Sequence, residues 1–116
     1  MASLVKQFTF GHDVKKADWL IGKGMLVGFP KQAFRSLKAP GTAYDNPLTH
    51  KDPQPAKMND FVHTNDDDGG IHINSGIPNR AFFLTAEALS GILDSSESLE
   101  ALEPLRALPS RERCVD

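Results

Sequence analysis

Apolar positions fall in two helical patches separated by a long stretch without periodicity. Residues 1–10, MASLVKQFTF, are apolar and helix-compatible, and Gly11, His12 and Asp13 end the pattern. A helix of fewer than about 12 residues is marginal alone, so this one reads as the tail of a longer helix. Residues 18–28, D-W-L-I-G-K-G-M-L-V-G, are β-prone but broken by Gly22 and Gly24, which predicts two short extended segments or a loose hairpin. Residues 39–60 hold Pro40, Gly41, Pro47, Pro53 and Pro55 with little periodicity. That predicts a long irregular loop, with Tyr44 and Phe61 as its expected anchors. Ile71, His72 and Ile73 read as a short extended piece. Asn74 or Ser75 then offers an N-cap and Pro78 suits a first helical turn. From Ser75 to Ser90, Ile77, Ala81, Leu84 and Ala88 recur at helical spacing. Phe82 and Leu89 widen that face, and Gly91 is placed to end the helix. A helix apolar over so much of its surface calls for burial in a bundle. Leu99, Leu102 and Leu105 mark a further short helix, interrupted by Pro104.

Composition narrows the picture modestly. The chain has 116 residues, 40% of them hydrophobic and 8% aromatic, enough for one small domain or part of a larger one. Net charge is −2, from 13 basic and 15 acidic residues, which favours neither nucleic acid nor an anionic membrane as partner. Cys114 is the single cysteine, so no intrachain disulfide forms. No run of about 18 apolar residues is present to span a membrane, and the N-terminus carries no apolar signal core.

Candidate chemistry concentrates in residues 65–80, where three acidic residues, two glycines and a histidine precede a helix. Gly69-Gly70 calls for a tight turn. Across it Asp67, five residues before His72, is able to fold back onto the ring and favour its doubly protonated form. The plainer readings are a solvated acidic turn and a structural histidine. A calcium-binding EF-hand loop is excluded, because neither Gly69 nor Gly70 as sixth residue puts Glu at the twelfth. His12, His50 and His63 read as loop histidines. Arg35, beside Phe34, reads from composition alone as a surface arginine next to a buried aromatic.

The segment D-D-G-G-I-H-I-N-S-G-I-P-N-R resembles the part of thermolysin-like zinc metallopeptidases that carries their active-site histidine. Asp18-Trp19-Leu20-Ile21-Gly22 and Phe34-Arg35-Ser36-Leu37 extend the likeness in order. The loop text A-P-G-T-A-Y-D-N-P and K-D-P-Q-P-A-K-M is similar to the protealysin-like branch. The likeness covers residues 3–91, which are expected to form the start of the helical C-terminal lobe: mainly α, with long irregular loops. Residues 92–116 read as a divergent tail, for which disorder is an option, and a shifted reading frame near residue 91 would explain the break.

The resemblance implies a secreted zinc metalloendopeptidase acting on peptide or protein substrates. It gives His72 the role of hydrogen-bond donor to the oxyanion of the tetrahedral intermediate and Asp67 that of orienting it. Arg35 would bind a substrate carbonyl, and Phe34 would shape an apolar pocket after the cleaved bond. The zinc ligands of such enzymes include an H-E-x-x-H motif. That motif is absent from these 116 residues, so the zinc-binding N-terminal half is expected to lie elsewhere and the chain alone to be inactive. Calcium is not expected. Of the carboxylates that hold it in relatives only Asp18 is present. Lys6, Leu20, Lys23 and Gly24 stand at the other places, whereas calcium takes about six to eight oxygen donors. The alternative is a catalytically inactive remnant or a stand-alone module that binds a protein or peptide.

Overall fold

A computed structural model describes residues 2–93, with side chains through Gly91. The expected helix near Leu99 and the divergent tail lie outside the described residues. The first helix, α1 (Ala2–Phe10), forms where expected. It stops at Gly11, which takes φ 61°. The Gly11 amide returns to the Phe8 carbonyl (3.3 Å) and the His12 amide to Gln7 (2.9 Å). This pair of bonds satisfies the last carbonyls of a helix that ends on a left-handed residue. The helix lies against the rest of the chain by its polar side: Ser3 and Gln7 are buried and joined at 3.1 Å. Its apolar residues Leu4, Val5, Phe8 and Phe10 are exposed.

Of the two extended segments or loose hairpin expected in residues 18–28, one extended segment forms. Leu20–Ile21 (β1) pairs, antiparallel, with Arg35–Ser36 (β2), Leu20 opposite Ser36 and Ile21 opposite Arg35. The hairpin fails because Gly22, Gly24 and Gly28 all take positive φ, which turns the chain repeatedly and leaves no second strand before residue 35. Around β1 and β2 sits a small core of Trp19, Leu37 and Phe83. The Trp19 indole donates to the Val14 carbonyl (3.0 Å) and meets the Phe83 ring edge-on at 5.2 Å.

The long loop contains more order than its sequence shows. Asp45–Asn46 (β3) and His50–Lys51 (β4) form a minimal antiparallel hairpin. The Asn46 side chain closes its turn by accepting the Leu48 and Thr49 amides, each at 3.0 Å. A single 3-10 turn follows at Met58–Asp60. The expected aromatic anchors are only half-buried. The loop is held by polar groups instead: Asn46, Asp52 and Gln54 are all buried. A backbone without a ladder still needs partners for its amides, and buried side chains supply them.

The last two elements are α2 (Asp67–Asn74) and α3 (Gly76–Leu93). Residues 71–73 are helical, not extended. Asn74 and Ser75 do not cap α3, because Ser75 itself is in the right-handed helical region (φ −61°, ψ −17°) and the chain runs from one helix into the next. Gly91 does not end α3, which continues to Leu93. The stripe expected to be buried is not covered by the described residues: Ala81, Leu84 and Ala88 are exposed, whereas Phe83 packs into the core. Arg80 holds α3 to the segment after β2 by donating to the Lys38 carbonyl at 2.8 Å.

Candidate active-site half at the Asp67–His72 corner

The corner begins with four left-handed residues in succession. Asp67, Asp68, Gly69 and Gly70 have φ of 54°, 48°, 79° and 77°. A left-handed turn costs about 1–2 kcal/mol per non-glycine residue, so Asp67 and Asp68 need compensation. Part comes from the Gly70 amide, which closes the turn onto the Asp66 carbonyl at 2.9 Å. Gly70 is buried, and an added Cβ would lie 3.0 Å from atoms of Thr64, Ile73 and Asn74. Further compensation comes from the Asp67 side chain. One carboxylate oxygen accepts the His72 amide at 2.8 Å, and the other bonds the His72 ring at Nδ1.

This double grip sets the chemistry of the ring. The bond from the ring, and then the bond from the His72 amide, hold the Asp67 carboxyl below its ordinary value of 3.8. An ionised carboxylate only accepts, so Nδ1 carries a proton. Among the described residues Nε2 has no protein partner, and 73% of the His72 side chain is exposed. The ring is therefore oriented from behind and open in front.

The backbone of His72 is held as well. Its carbonyl accepts from the Gln54 side-chain amide and from the Ser75 hydroxyl, each at 2.7 Å. Asn74 clamps the neighbouring chain, donating to the Val62 carbonyl and accepting its amide, both at 2.9 Å. No local sequence pattern marks Gln54, Ser75 or Asn74 as parts of the site. Ser75 meets the His72 carbonyl locally, but the partners of Gln54 and Asn74 lie 12 to 21 residues away and meet only once the loop has folded.

Arg35 sits on β2 and lines an open cavity of about 290 Å³ with Ala2, Ser3, Ile21, Leu37, Ser75 and Asn79. Its guanidinium donates back to the Phe34 carbonyl at 2.7 Å. Phe34 is 41% exposed, and its ring lies against Gly22, where an added Cβ would collide with it. The structure thus joins Asp67 to His72 directly. Arg35 reaches that pair only through Ser75, which shares the cavity wall and bonds the His72 carbonyl.

Around Asp18 lie two cationic side chains of the chain itself. Lys6 from α1 meets Asp18 at 2.6 Å and Lys23 approaches the other oxygen at 3.8 Å. Partial burial works against the Asp18 charge, yet the bonds from Lys6 and the Leu20 amide outweigh it and hold the carboxyl low. Both oxygens of the Asp18 carboxylate thus face ammonium groups of this chain. Among the described residues no three His, Cys, Asp or Glu side chains gather as a metal site. No helix among them is long and apolar enough to cross a membrane.

Residues 1–102 match the family described as thermolysin metallopeptidase, alpha-helical domain. The chain is 59% identical over 90 residues to the extracellular minor metalloprotease of Serratia marcescens, covering 77% of this chain and 26% of that protein. It is 53% identical over 90 residues to the extracellular metalloprotease of Pectobacterium carotovorum, with the same coverage of 77% and 26%. The solved precursor of protealysin, a metalloproteinase from Serratia proteamaculans, superposes with a TM-score of 0.72 at 60% identity, over 75% of this chain and 27% of that one. The chain therefore spans about a quarter of the length of these relatives. It belongs to the thermolysin metallopeptidase family and represents part of that family's α-helical C-terminal domain.

Proposed function

We propose that this chain is the segment of a secreted, zinc-dependent metalloendopeptidase that supplies the hydrogen-bond donor to the reacting carbonyl of a peptide or protein substrate. The observation that carries the reading is the pair of hydrogen bonds from the amide and ring of His72 to the Asp67 carboxylate, with Nε2 left open. With Nδ1 already protonated towards Asp67, Nε2 donates only when the ring carries its second proton. A fixed donor aimed at developing negative charge is worth about 10²–10³ in turnover. Arg35, a permanently charged fork on a cavity wall, suits binding of a substrate carbonyl. The partly exposed Phe34 ring offers an apolar wall beside it. The metal-binding half lies outside these residues, so the chain by itself does not hydrolyse peptides. Secretion is inferred from relatives that are named extracellular.

The exposed apolar faces of α1 and α3 favour a piece of a larger enzyme over a stand-alone binding module. The test is a chimera in which this chain replaces the matching quarter of the Serratia marcescens relative. His72→Ala is expected to lower kcat by about 10²–10³ while KM changes little. Equal losses in kcat and affinity count against the donor role. The pure chain with zinc and a peptide should show no cleavage, and metal-dependent cleavage by it would sink the reading.

A further inference from the structure

We propose that Gln54 is a positioning residue for His72, reaching out of the 39–60 loop to hold the histidine's backbone so that Asp67 can hold its ring. The inference rests on the reading of His72 as the working side chain of the corner. Gln54 is 4% exposed, and its amide nitrogen lies 2.7 Å from both the His72 carbonyl and the Ser75 hydroxyl. The His72 carbonyl only accepts, so the amide group must face it with its NH₂ end. The opposite end, Oε1, is buried with no hydrogen-bond partner. A side chain that leaves an acceptor unsatisfied to keep this orientation is spending stability on the donor end.

The rest of the loop is built to hold Gln54 there. Asp52, 3% exposed, accepts the amides of Gly41 (3.0 Å), Ala43 (3.2 Å) and Gln54 itself (3.1 Å). The stem of Gln54 packs on the start of α3. An added Cβ at Gly76 would come within 3.0 Å of the Gln54 Cβ and 2.9 Å of the Pro40 Cβ, and would collide with the Pro55 carbonyl. Restraint at this point has a purpose, because the four left-handed residues 67–70 lie just before Ile71 and His72 and redirect the chain there. Asp67 fixes the amide side of His72 and Gln54 fixes the carbonyl side. With both peptide planes pinned, the ring has one direction in which Nδ1 meets the carboxylate.

The experiment is solution NMR of the full, isotope-labelled chain. In the unaltered protein, a scalar coupling through the hydrogen bond from the Gln54 side-chain nitrogen to the His72 carbonyl carbon is expected. Its absence, including through failure of the free chain to fold, overturns the proposal for this chain. The nitrogen shifts of the His72 ring then report its tautomer. In Gln54→Leu the fraction protonated at Nδ1 is expected to fall in the neutral ring, and the His72 amide to exchange with solvent at least about tenfold faster. A purely structural glutamine would leave the tautomer unchanged, and that result also overturns the proposal. If Gln54→Leu does not fold, the coupling in the unaltered chain decides. A chimera in which His72→Ala retains full turnover would remove the donor reading while leaving this coupling in place, so the two failures are distinguishable.

Discussion

The 39–60 loop and helix α1 invert the usual relation between regularity and self-sufficiency. The loop has almost no secondary structure, yet its buried groups, Asn46, Asp52 and Gln54, are hydrogen-bonded within the chain. The helix is regular and properly ended, yet it turns Ser3 and Gln7 inward and leaves Phe8 91% and Val5 62% exposed. Backbone polar groups must find partners wherever they are buried, and the loop finds them nearby. Apolar side chains need a large second surface, and the described residues do not provide one for α1 or for the Ala81–Leu84–Ala88 stripe. A chain whose polar network is closed except at the Gln54 Oε1, and whose apolar faces are open among the described residues, is organised as a part that completes itself against further structure.

Asp52 tests the closed half of that contrast and should give the largest effect. Asp52→Ala leaves two buried amides, of Ala43 and Gln54, and the partly buried Gly41 amide without an acceptor, at about 1–3 kcal/mol for each buried one when unsatisfied. A urea melt of the chain should lose about 3 kcal/mol or more, enough to abolish a marginal transition. A loss below about 1 kcal/mol would mean that solvent replaces the carboxylate easily and the loop is not self-sufficient.

Acid probes the same network at its outer edge, with a smaller effect. The Asp67 carboxyl is held below 3.8 in the folded chain by the ring and amide of His72. A depressed folded value means that the interaction contributes fully above the unfolded value and is lost as pH falls through the folded one. Protection of the His72 amide should thus be flat near neutral pH and decline only below about 3.8. Asp18 is shifted in the same direction, so α1 should loosen from β1 in the same acid range. Protection that already falls between pH 7 and pH 5 would show that the ring, not the carboxylate, governs the corner.

Phe8 tests the open half and should give the smallest effect on folding. Phe8→Ser removes a side chain that touches solvent, so the stability of the free chain should change by no more than about 0.5 kcal/mol. Self-association, followed by light scattering, should fall. A destabilisation beyond about 1 kcal/mol would show that α1 already has its apolar contacts within this chain.

Several features are legible in the amino-acid sequence. The helix of residues 1–10, the long helix after Ser75, the turn at Gly69-Gly70 and the pairing of Asp67 with His72 all rest on local rules: spacing, glycine, and the reach of a short side chain over five residues. Local rules misjudge residues 71–73 and 18–28 for a shared reason. In both places positive-φ residues redirect the chain: residues 67–70 in a row just before the first, and Trp19, Gly22, Gly24 and Gly28 within the second. The resulting direction depends on which distant strand or side chain then closes the bonds.

The family likeness, the main helices and the acid–histidine pair are written in the order of residues, because each depends on neighbours within one or two turns of chain. Three outcomes are set by packing between segments: α1 faces inward by its polar side, β1 pairs with residues 35–36, and Gln54 meets the His72 carbonyl 18 residues later. Those outcomes turn on which buried polar atoms find partners across the fold. That competition is settled between segments, and no periodicity within a segment records it.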